Sequence, residues 1–149
     1  MRALGLDVGS KTIGIAISDT SGSIATALKT LRRAGQKVDA NAVHEVVVAH
    51  EVSTIVVGFP LELDGNEGHR ARRVRVFVKA LEEAHPPEVT TVLWDERFST
   101  AAAERTLLEA DLSRKKRRRH IDAVAAQFIL QGWLDYDRNQ RSEEPSGES

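Results

Sequence analysis

The chain of 149 residues contains no cysteine. Disulfide bonds and thiolate metal sites are therefore excluded, and we expect a cytoplasmic protein, because disulfide-rich chains belong to oxidising compartments. No apolar run approaches the roughly 20 residues that a membrane-spanning helix needs. No secretory leader, charged and then apolar, precedes the first predicted strand. We therefore expect no membrane partner.

The sequence also lacks two familiar catalytic signatures. Neither the glycine pattern of a phosphate-binding P-loop nor the arrangement of a nucleophilic triad is present. The histidines are scattered without the spacing of metal ligands, and we interpret His44, His50 and His69 as structural or surface residues. A catalytic site has to be sought among other residue types.

Length and composition predict one globular domain. No internal repeat or low-complexity linker interrupts residues 1–137, which we expect to form that domain. A polar tail follows over residues 138–149, and we expect it to be disordered. Apolar residues make up 41% of the chain and charged residues 29%, which is ordinary for a soluble protein.

Basic residues are clustered, although the net charge is only −1. One cluster contains Arg70, Arg72, Arg73, Arg75 and Lys79, and the other is the unbroken run Arg114, Lys115, Lys116, Arg117, Arg118 and Arg119. Such clusters are the electrostatic footprint of proteins that bind phosphate-rich partners. The first cluster fits a solvated helix face equally well. Six consecutive bases repel one another unless a polyanion is present, so we expect a nucleic acid partner.

The opening of the chain predicts a β-hairpin that carries a carboxylate. Apolar residues alternate with Gly5, Asp7 and Gly9 at residues 4–9 and alternate again at residues 13–17, which is the period of a strand. A buried carboxylate without a partner is costly, so we expect Asp7 to face an open cleft or a cation. The alternative is an aspartate at the hairpin mouth that accepts hydrogen bonds from the turn.

Beyond the hairpin, strand and helix patterns alternate. The predicted elements are a strand at residues 23–31, a helix at 38–51 with Asp39 as a cap, a strand at 53–58, a helix at 71–84, a strand at 89–94, a helix from 99 or 100 to 110, a basic loop at 111–120 and a helix at 121–134. Strand–helix–strand connections of this length imply right-handed parallel crossovers. The predicted fold class is therefore α/β, a mixed five-stranded sheet of antiparallel hairpin strands and parallel strands, flanked by helices.

Acidic residues occur where the predicted strands reach one edge of the sheet. Asp7 lies on the first strand, Asp95 and Glu96 end the fifth, and Asp122 opens the last helix. Ligands collect beyond the carboxyl ends of parallel strands, and converging carboxylates repel one another unless a cation joins them. Two divalent ions roughly 3.5–4 Å apart can hold the attacking and leaving oxygens of a phosphodiester displacement. We therefore predict a hydrolase that uses two ions, Mg²⁺ or Mn²⁺.

Two bases accompany these acids. Lys11 and Arg97 are placed to neutralise phosphate oxygens of a substrate. Simpler interpretations stay open for the acids: Asp122 would complement the dipole of its helix, and Glu96 would form a local ion pair with Arg97 that contributes little stability.

Four segments together resemble the YqgF/RuvX family of bacterial RNase H-like nucleases. They are LDVGSKTIGIAISD, VGFPLELDG, DERFST and IDAVAAQFIL, which occur in this order between residues 4 and 134. The resemblance implies an RNase H-like fold and a nuclease. Its main implied role is processing of the 5′ end of the 16S ribosomal RNA precursor in ribosome biogenesis. The alternative is resolution of Holliday junctions in DNA recombination and repair.

The resemblance also implies roles for single residues. Asp7, Glu96 and Asp122 match the metal-binding catalytic acids, with Asp95 as the alternative to Glu96. Neighbouring strand residues point to opposite faces, so we expect only one of that pair to be a primary ligand and favour Glu96. Thr12 departs from the arginine that family members often carry, which puts one phosphate contact in doubt. The basic run before Asp122 is also denser than we expect for the family.

The expected partner is a structured nucleic acid, bound by a monomer or a weak homodimer. We expect seven basic residues to contact it: Lys11, Arg72, Arg73, Arg97, Arg117, Arg118 and Arg119. Junction cutting favours a symmetric dimer because two strands must be cut, whereas trimming of ribosomal RNA does not require one. The sequence offers no base-reading motif that chooses between these substrates.

Two other classes of protein are weaker alternatives. The Asp-x-Gly at Asp7, followed by Gly14, also resembles the first phosphate motif of actin-like and sugar-kinase-like ATPases. Those proteins need a second domain, for which 149 residues leave no room. A nucleic-acid-binding module with inactive acids would bind without metal and would not cleave.

Overall fold

The computed structural model describes residues 2–62, 64–96 and 114–143, and within the last range the side chains of residues 123–140. The strands are β1 (Arg2–Val8), β2 (Thr12–Ser18), β3 (Ala25–Arg32), β4 (Val52–Phe59) and β5 (Thr90–Asp95); the helices are α1 (Gln36–Ala49), α2 (His69–Ala84) and α3 (Arg114–Glu143). The strands lie in the order β3-β2-β1-β4-β5. Strand β1 pairs antiparallel with β2 and parallel with β4. The predicted mixed five-stranded α/β fold is confirmed.

Helices cover both faces of the sheet, which explains why both sides of β1 are buried. On one face Leu4, Leu6 and Val8 join a large core with α1 and α2. On the other face Ala3 joins a second core with α3. Because strand residues alternate between faces, Gly5 and Asp7 share the side of Ala3.

Helix α3 packs very closely on the sheet at two glycines. A Cβ atom at Gly5 would lie 2.6 Å from Cβ of Leu130 and 2.8 Å from the carbonyl oxygen of Ala126. A Cβ atom at Gly58 of β4 would lie 2.5 Å from Cδ1 of Ile129. The missing side chains of β1 and β4 therefore let the helix rest directly on the strand backbones.

Several predicted element boundaries need correction. The basic run was predicted as a loop, but it forms the first turns of α3, which begins at Arg114; Lys and Arg are good helix formers, so charge density did not interrupt the helix. The last helix also continues to Glu143, through the first residues of the predicted tail. The predicted helix from 99 or 100 to 110 and residues 144–149 lie outside the described residues. None of the described helices combines the length and the apolar content needed to cross a bilayer.

The start of α1 also differs from prediction. The residue before the helix is Gly35, which offers no side chain as a cap. Asp39 lies inside the first turn and reaches back, accepting hydrogen bonds from the backbone N–H groups of Ala34 (3.0 Å) and Gly35 (3.3 Å). Asp39 thus accepts hydrogen bonds from backbone N–H groups at the helix start, as a cap does. It does so from inside the first turn and not from the position before the helix.

Candidate active site

Asp7 is a buried carboxylate near the end of β1. It is 7% exposed and stands opposite Gly14 of β2 in the antiparallel register. Alternation along β1 places it on the face that α3 covers, two residues beyond Gly5. The parallel pairing of Leu6 with Val57 makes Asp7 and Gly58 the next positions along β1 and β4. Asp7 therefore lies at the carboxyl edge of two parallel strands, as predicted.

Glu96 reaches the same place from β5. Its Oε2 atom lies 3.3 Å from the position that a Cβ atom of Gly58 would take, on the side where Gly58 faces Ile129 of α3. The glycine thus leaves room for the Glu96 carboxylate beside Asp7. Trp94 packs in the core under α3, so alternation along β5 places Asp95 on the opposite face. The structure brings Asp7 and Glu96 together on one face and separates Asp95 from them.

Helix α3 carries position 122 to this edge. The helix meets Gly5 at Ala126 and Leu130, and Leu134 lines a cavity together with Ala3, so α3 runs antiparallel to β1. From Gly5 to Asp7 the strand advances roughly 6.6 Å, and from position 126 back to position 122 the helix advances roughly 6 Å. The backbone at position 122 is therefore level with Asp7. The side chain of Asp122 is not among those described.

The described part of this edge suits a hard divalent cation. Asp7 and Glu96 supply carboxylate oxygens, which are the ligands that Mg²⁺ and Mn²⁺ prefer. Gly58 leaves room for the Glu96 carboxylate, since a Cβ atom there would lie 3.3 Å from Oε2 of Glu96. No group of three or more candidate ligands occurs among the described side chains. A third ligand would have to come from a position such as 122.

The predicted nucleic-acid-binding residues lie on two sides of this edge. Lys11 is exposed in the turn between β1 and β2, Arg72 is exposed on α2, and Arg73 is half-buried there. The guanidinium of Arg75 lies 4.8 Å from the ring centroid of Phe59, the last residue of β4. The first turns of α2 are therefore at the carboxyl end of the sheet.

The remaining predicted contacts can be placed only in part. Arg117, Arg118 and Arg119 lie in the first turns of α3, where the backbone alone is described. Because α3 runs toward the opposite end of the sheet, these turns begin at the edge that carries Asp7. Arg97 lies outside the described residues.

A short loop between β4 and α2 is held in place by a charged pair. Leu61 and Glu67 form an isolated antiparallel bridge across it, and Glu67 accepts hydrogen bonds from Nε and Nη2 of Arg75. The hydrogen bond from Arg75 holds the pKa of Glu67 below its usual value. Arg75 therefore supports this loop, and Arg72 also contacts it, because its Nη1 donates to the carbonyl oxygen of Glu67 (3.4 Å).

The whole domain matches a known family model. The model, described as "RuvX: Holliday junction resolvase", matches residues 1–136. The chain belongs to the RuvX family. The resemblance predicted from the four segments is thereby confirmed.

Curated relatives agree with this assignment. A protein of Myxococcus xanthus named "Putative pre-16S rRNA nuclease" is 55% identical over 138 residues, which cover 93% of this chain and 90% of the relative. A protein of the same name from Halalkalibacterium halodurans is 50% identical over 137 residues, covering 91% of this chain and 96% of the relative. Both names and the family description fit the nuclease predicted from the sequence.

Solved structures confirm the RNase H-like fold. RuvC of Thermus thermophilus in complex with a Holliday junction substrate superposes with a TM-score of 0.61 at 17% identity, covering 93% of this chain and 96% of that one. The structure of Thermus thermophilus RuvC gives a TM-score of 0.58 at 17% identity, over 94% of this chain and 97% of the other. At this identity the likeness concerns the fold alone.

Two features of the site were not evident in the sequence. The role of Gly5 depends on a contact with α3 more than a hundred residues away. Arg33 belongs to no motif and to neither basic cluster, so no pattern in the sequence points to it. Its hydrogen bonds to the β1–β2 turn and to α1 appear only in the folded chain.

Proposed function

We propose that this protein is a metal-dependent nuclease that hydrolyses phosphodiester bonds of structured nucleic acid, and that its substrate is the 5′ end of the 16S ribosomal RNA precursor. The observation that carries the proposal is the meeting of Asp7, Glu96 and the backbone at position 122 at one carboxyl edge of the sheet. Membership in the RuvX family and the names of the curated relatives support the activity.

In this proposal Asp7, Glu96 and Asp122 hold two Mg²⁺ or Mn²⁺ ions. Bound ions of this kind lower the pKa of a ligated water and stabilise the departing alkoxide. The chain contributes the orientation of the oxygen ligands: Asp7 stands on a strand buried on both faces, and Glu96 rests over Gly58. Asp95 faces the other side of the sheet and is not a ligand in this scheme.

Basic residues on both sides of the sheet edge are proposed to bind the substrate backbone. The first turns of α2 lie on one face of the sheet, and the first turns of α3 lie on the side of the other face, beyond the edge that carries Asp7. Arg72 and Arg73 on the first and Arg117, Arg118 and Arg119 on the second are proposed to contact backbone phosphates, with Lys11 and Arg97 nearer the reacting bond. Phosphate contacts of this kind position a substrate without reading its sequence.

Holliday junction DNA is the second candidate substrate. The description of the matching family names this activity, whereas the relatives with about half of their residues identical carry the ribosomal RNA name. We favour the RNA because those relatives are similar over nearly the whole chain. Junction cutting would further require a dimer, which sedimentation of the protein with and without junction DNA would detect.

The experiment compares cleavage of a labelled 16S precursor and of a labelled four-way junction, each with Mg²⁺, with Mn²⁺ and with a chelator. We expect metal-dependent cleavage of the precursor, with a slower reaction or none on the junction. Asp7→Asn and Glu96→Gln should each reduce the cleavage rate about 10³-fold, because each removes a ligand that contributes several kcal/mol to transition-state stabilisation.

Asp95→Asn is the matched control, since it changes an adjacent acid on the opposite face of the sheet. It should keep the cleavage rate of the unmodified protein. Thermal unfolding and binding to the uncleaved precursor should be nearly unchanged in all three variants. Cleavage that survives both the chelator and Asp7→Asn would refute the proposal, and equal losses in the Asp95 and Glu96 variants would refute the assignment of ligands.

A further inference from the structure

Arg33 joins three parts of the fold that meet beside the candidate site. It follows β3, and its Nη1 donates a hydrogen bond to the carbonyl oxygen of Gly9 (2.8 Å). Its Nε donates to Oδ2 of Asp39 (2.7 Å), and its Nη2 donates to Oε1 of Gln36 (3.1 Å). The backbone N–H of Arg33 donates to the carbonyl oxygen of Lys11 (2.8 Å). One residue therefore holds both Gly9 and Lys11 of the β1–β2 turn.

The ion pair between Arg33 and Asp39 is largely buried. The side chain of Asp39 is 4% exposed and that of Arg33 is 13% exposed. Burial raises the pKa of Asp39, but the hydrogen bonds from Arg33 and from the N–H groups of Ala34 and Gly35 outweigh it and hold that pKa below its usual value. The Arg33 guanidinium also lies 5.2 Å from the ring centroid of Phe77 in α2. The charged pair is thus fastened to both helices of that face.

The turn that Arg33 holds follows Asp7 directly. Gly9 is two residues beyond Asp7, and its N–H donates to the carbonyl oxygen of Thr12 (2.9 Å), which closes the turn. The orientation of Asp7 at the end of β1 depends on the backbone that follows it, and the position of Lys11 depends on the same turn. A metal ligand is held in register by such supporting hydrogen bonds.

We propose that Arg33 is a positioning residue, which holds the Gly9–Lys11 turn against α1 and thereby orients Asp7 and Lys11 for metal and substrate binding. This inference rests on the proposed function of the site. Arg33 does not contact the reacting atoms in this scheme. It acts through Gly9, with Asp39 as the fixed counter-charge.

Arginine is needed at this position because its planar fork donates in several directions at once. A lysine has a single ammonium group, which can pair with Asp39 or approach Gly9 but cannot reproduce the two-sided geometry. Arg33→Lys therefore keeps the charge that Asp39 needs and removes the side-chain hydrogen bond to Gly9, while the backbone N–H of residue 33 still donates to Lys11. This variant separates the positioning role from the simple stability of the ion pair.

The test compares the unmodified protein with Arg33→Lys in three measurements. Binding of Mn²⁺ to the full chain, followed by electron paramagnetic resonance, should weaken about tenfold or more, as for other residues that support metal ligands. The kcat for the labelled precursor should fall by a similar factor while its KM changes by less than about twofold. Hydrogen exchange of the Gly9 amide should become faster, because the turn opens more often.

Arg138→Lys is the matched control. Arg138 is an arginine that pairs with Asp135 and contacts a backbone carbonyl, that of Ser23, at the opposite end of the sheet. This control should leave Mn²⁺ binding, kcat and Gly9 exchange unchanged. If Arg33→Lys unfolds, the double variant Arg33→Met and Asp39→Asn removes both charges with similar side-chain volumes, and the same three measurements apply to it.

The outcomes divide clearly. Weaker Mn²⁺ binding together with faster Gly9 exchange and a reduced kcat supports the positioning role. A lower melting temperature with unchanged Mn²⁺ binding and kcat would make Arg33 a purely structural residue and overturn the inference. A raised KM with unchanged kcat would make it a substrate-binding residue and overturn the inference as well.

Failure of the proposed nuclease function can be distinguished from failure of the proposed role of Arg33. If the unmodified protein cleaves neither substrate, the nuclease proposal fails, and Mn²⁺ binding with Gly9 exchange still decides the role of Arg33. If the unmodified protein also binds no Mn²⁺, there is no metal site to position and both proposals fall.

Discussion

The two faces of the central sheet are built from side chains of different size. Toward α1 and α2 the sheet presents bulky aliphatic residues: Leu4, Leu6, Ile13, Ile15, Ile55 and Val57. Toward α3 it presents mostly small ones: Ala3, Gly5, Ala16, Ala25 and Gly58. Both faces are buried, and on the second α3 approaches the strand backbones directly at Gly5 and Gly58.

Because of this difference, one face mainly stabilises the fold and the other mainly positions the acids of the candidate site. The bulky face removes more apolar area from water, and that burial is the main favourable contribution to folding. The small-residue face contributes less area, but it places α3, and with it position 122, close to Asp7 and Glu96. All the acids that we assign as ligands lie on the small-residue face or on the helix that covers it.

The largest expected effect on stability comes from a cavity in the bulky face. Leu81 of α2 is fully buried in this core, so Leu81→Ala should lower the free energy of unfolding by about 2–5 kcal/mol. Because the change is remote from the small-residue face, kcat per folded molecule should stay the same. Chemical denaturation and single-turnover cleavage measure the two quantities.

Val76→Ala is the control on the same helix, since Val76 is 54% exposed. It should change the free energy of unfolding by less than about 0.5 kcal/mol. If Leu81→Ala reduced kcat as strongly as it reduced stability, the proposed separation of the two faces would be wrong.

A smaller loss of stability with a larger loss of activity is expected from Gly5→Ala. The added methyl group meets Cβ of Leu130 and the backbone of Ala126, and overpacking of this kind costs about 1–3 kcal/mol. Since relief requires α3 to move, and a 1 Å displacement of catalytic groups can cost about 10²-fold in rate, kcat should fall by more than tenfold. Stopped-flow cleavage and denaturation would record both changes.

Gly35→Ala is the matched glycine control, because a Cβ atom there would meet open space. Its extended backbone accepts any residue, so stability and kcat should both be preserved. An inactive but stable Gly35→Ala variant, or a fully active Gly5→Ala variant, would contradict the role given to close packing.

The sequence was sufficient for the parts of the fold that depend on local pattern. The alternation around Asp7 predicted the hairpin. The apolar run at residues 53–58 predicted a buried parallel strand, because a strand covered by helices on both faces shows a continuous apolar run. The acids were expected at the sheet edge because ligands collect beyond the carboxyl ends of parallel strands. The basic run forms helical turns and not the predicted loop, because the helix propensity of Lys and Arg outweighs the mutual repulsion of their charges.

The remaining parts depend on contacts between distant residues. The proximity of position 122 to Asp7 follows from the antiparallel packing of α3 on Gly5, which no local pattern records. Arg33 lies 24 residues from its partner Gly9, and a single arginine between a strand and a helix gives no periodic signal. Residues that position a site are therefore harder to predict than the residues that form it.

The helices on the two faces each carry a basic segment at their start. The salt dependence of nucleic acid binding can compare the contributions of the two segments. Alanine at Arg117, Arg118 and Arg119 should flatten the plot of log binding constant against log salt by about 2–3, because each lost phosphate contact removes about 0.7–0.9 from the slope. Alanine at Arg70, Arg72 and Arg73 should do the same if the substrate crosses to the α2 side. Binding of uncleaved precursor to the Asp7→Asn protein, titrated at several salt concentrations, gives the slopes.

Arg138→Ala serves as the control for lost positive charge at the far end of the sheet. Its slope should equal that of the unmodified protein. An unchanged slope for either triple variant would make that segment a solvated helix face and would confine the substrate to the other side of the edge.

The smallest expected effect concerns acid stability on the α1 and α2 side. Burial lowers the pKa of His85, and the nearby His44 ring acts in the same direction, while the hydrogen bond to the Leu81 carbonyl opposes them. Above about pH 6.5, the usual histidine value, His85 is neutral in both states and contributes no pH dependence. Below that value the unfolded chain takes up a proton that the folded chain resists, so stability falls with decreasing pH.

The window in which His85 is expected to contribute lies between about pH 6.5 and pH 5, because the lowered pKa values of Asp19 and Asp39 make those acids lose their contribution only near and below their usual value of about 4. His85→Asn keeps a side-chain donor for the Leu81 carbonyl and does not titrate. Its melting temperature should vary less across this window than that of the unmodified protein. Equal slopes for the two proteins would show that the histidine pair tolerates a proton, and the acid sensitivity would then belong to another group.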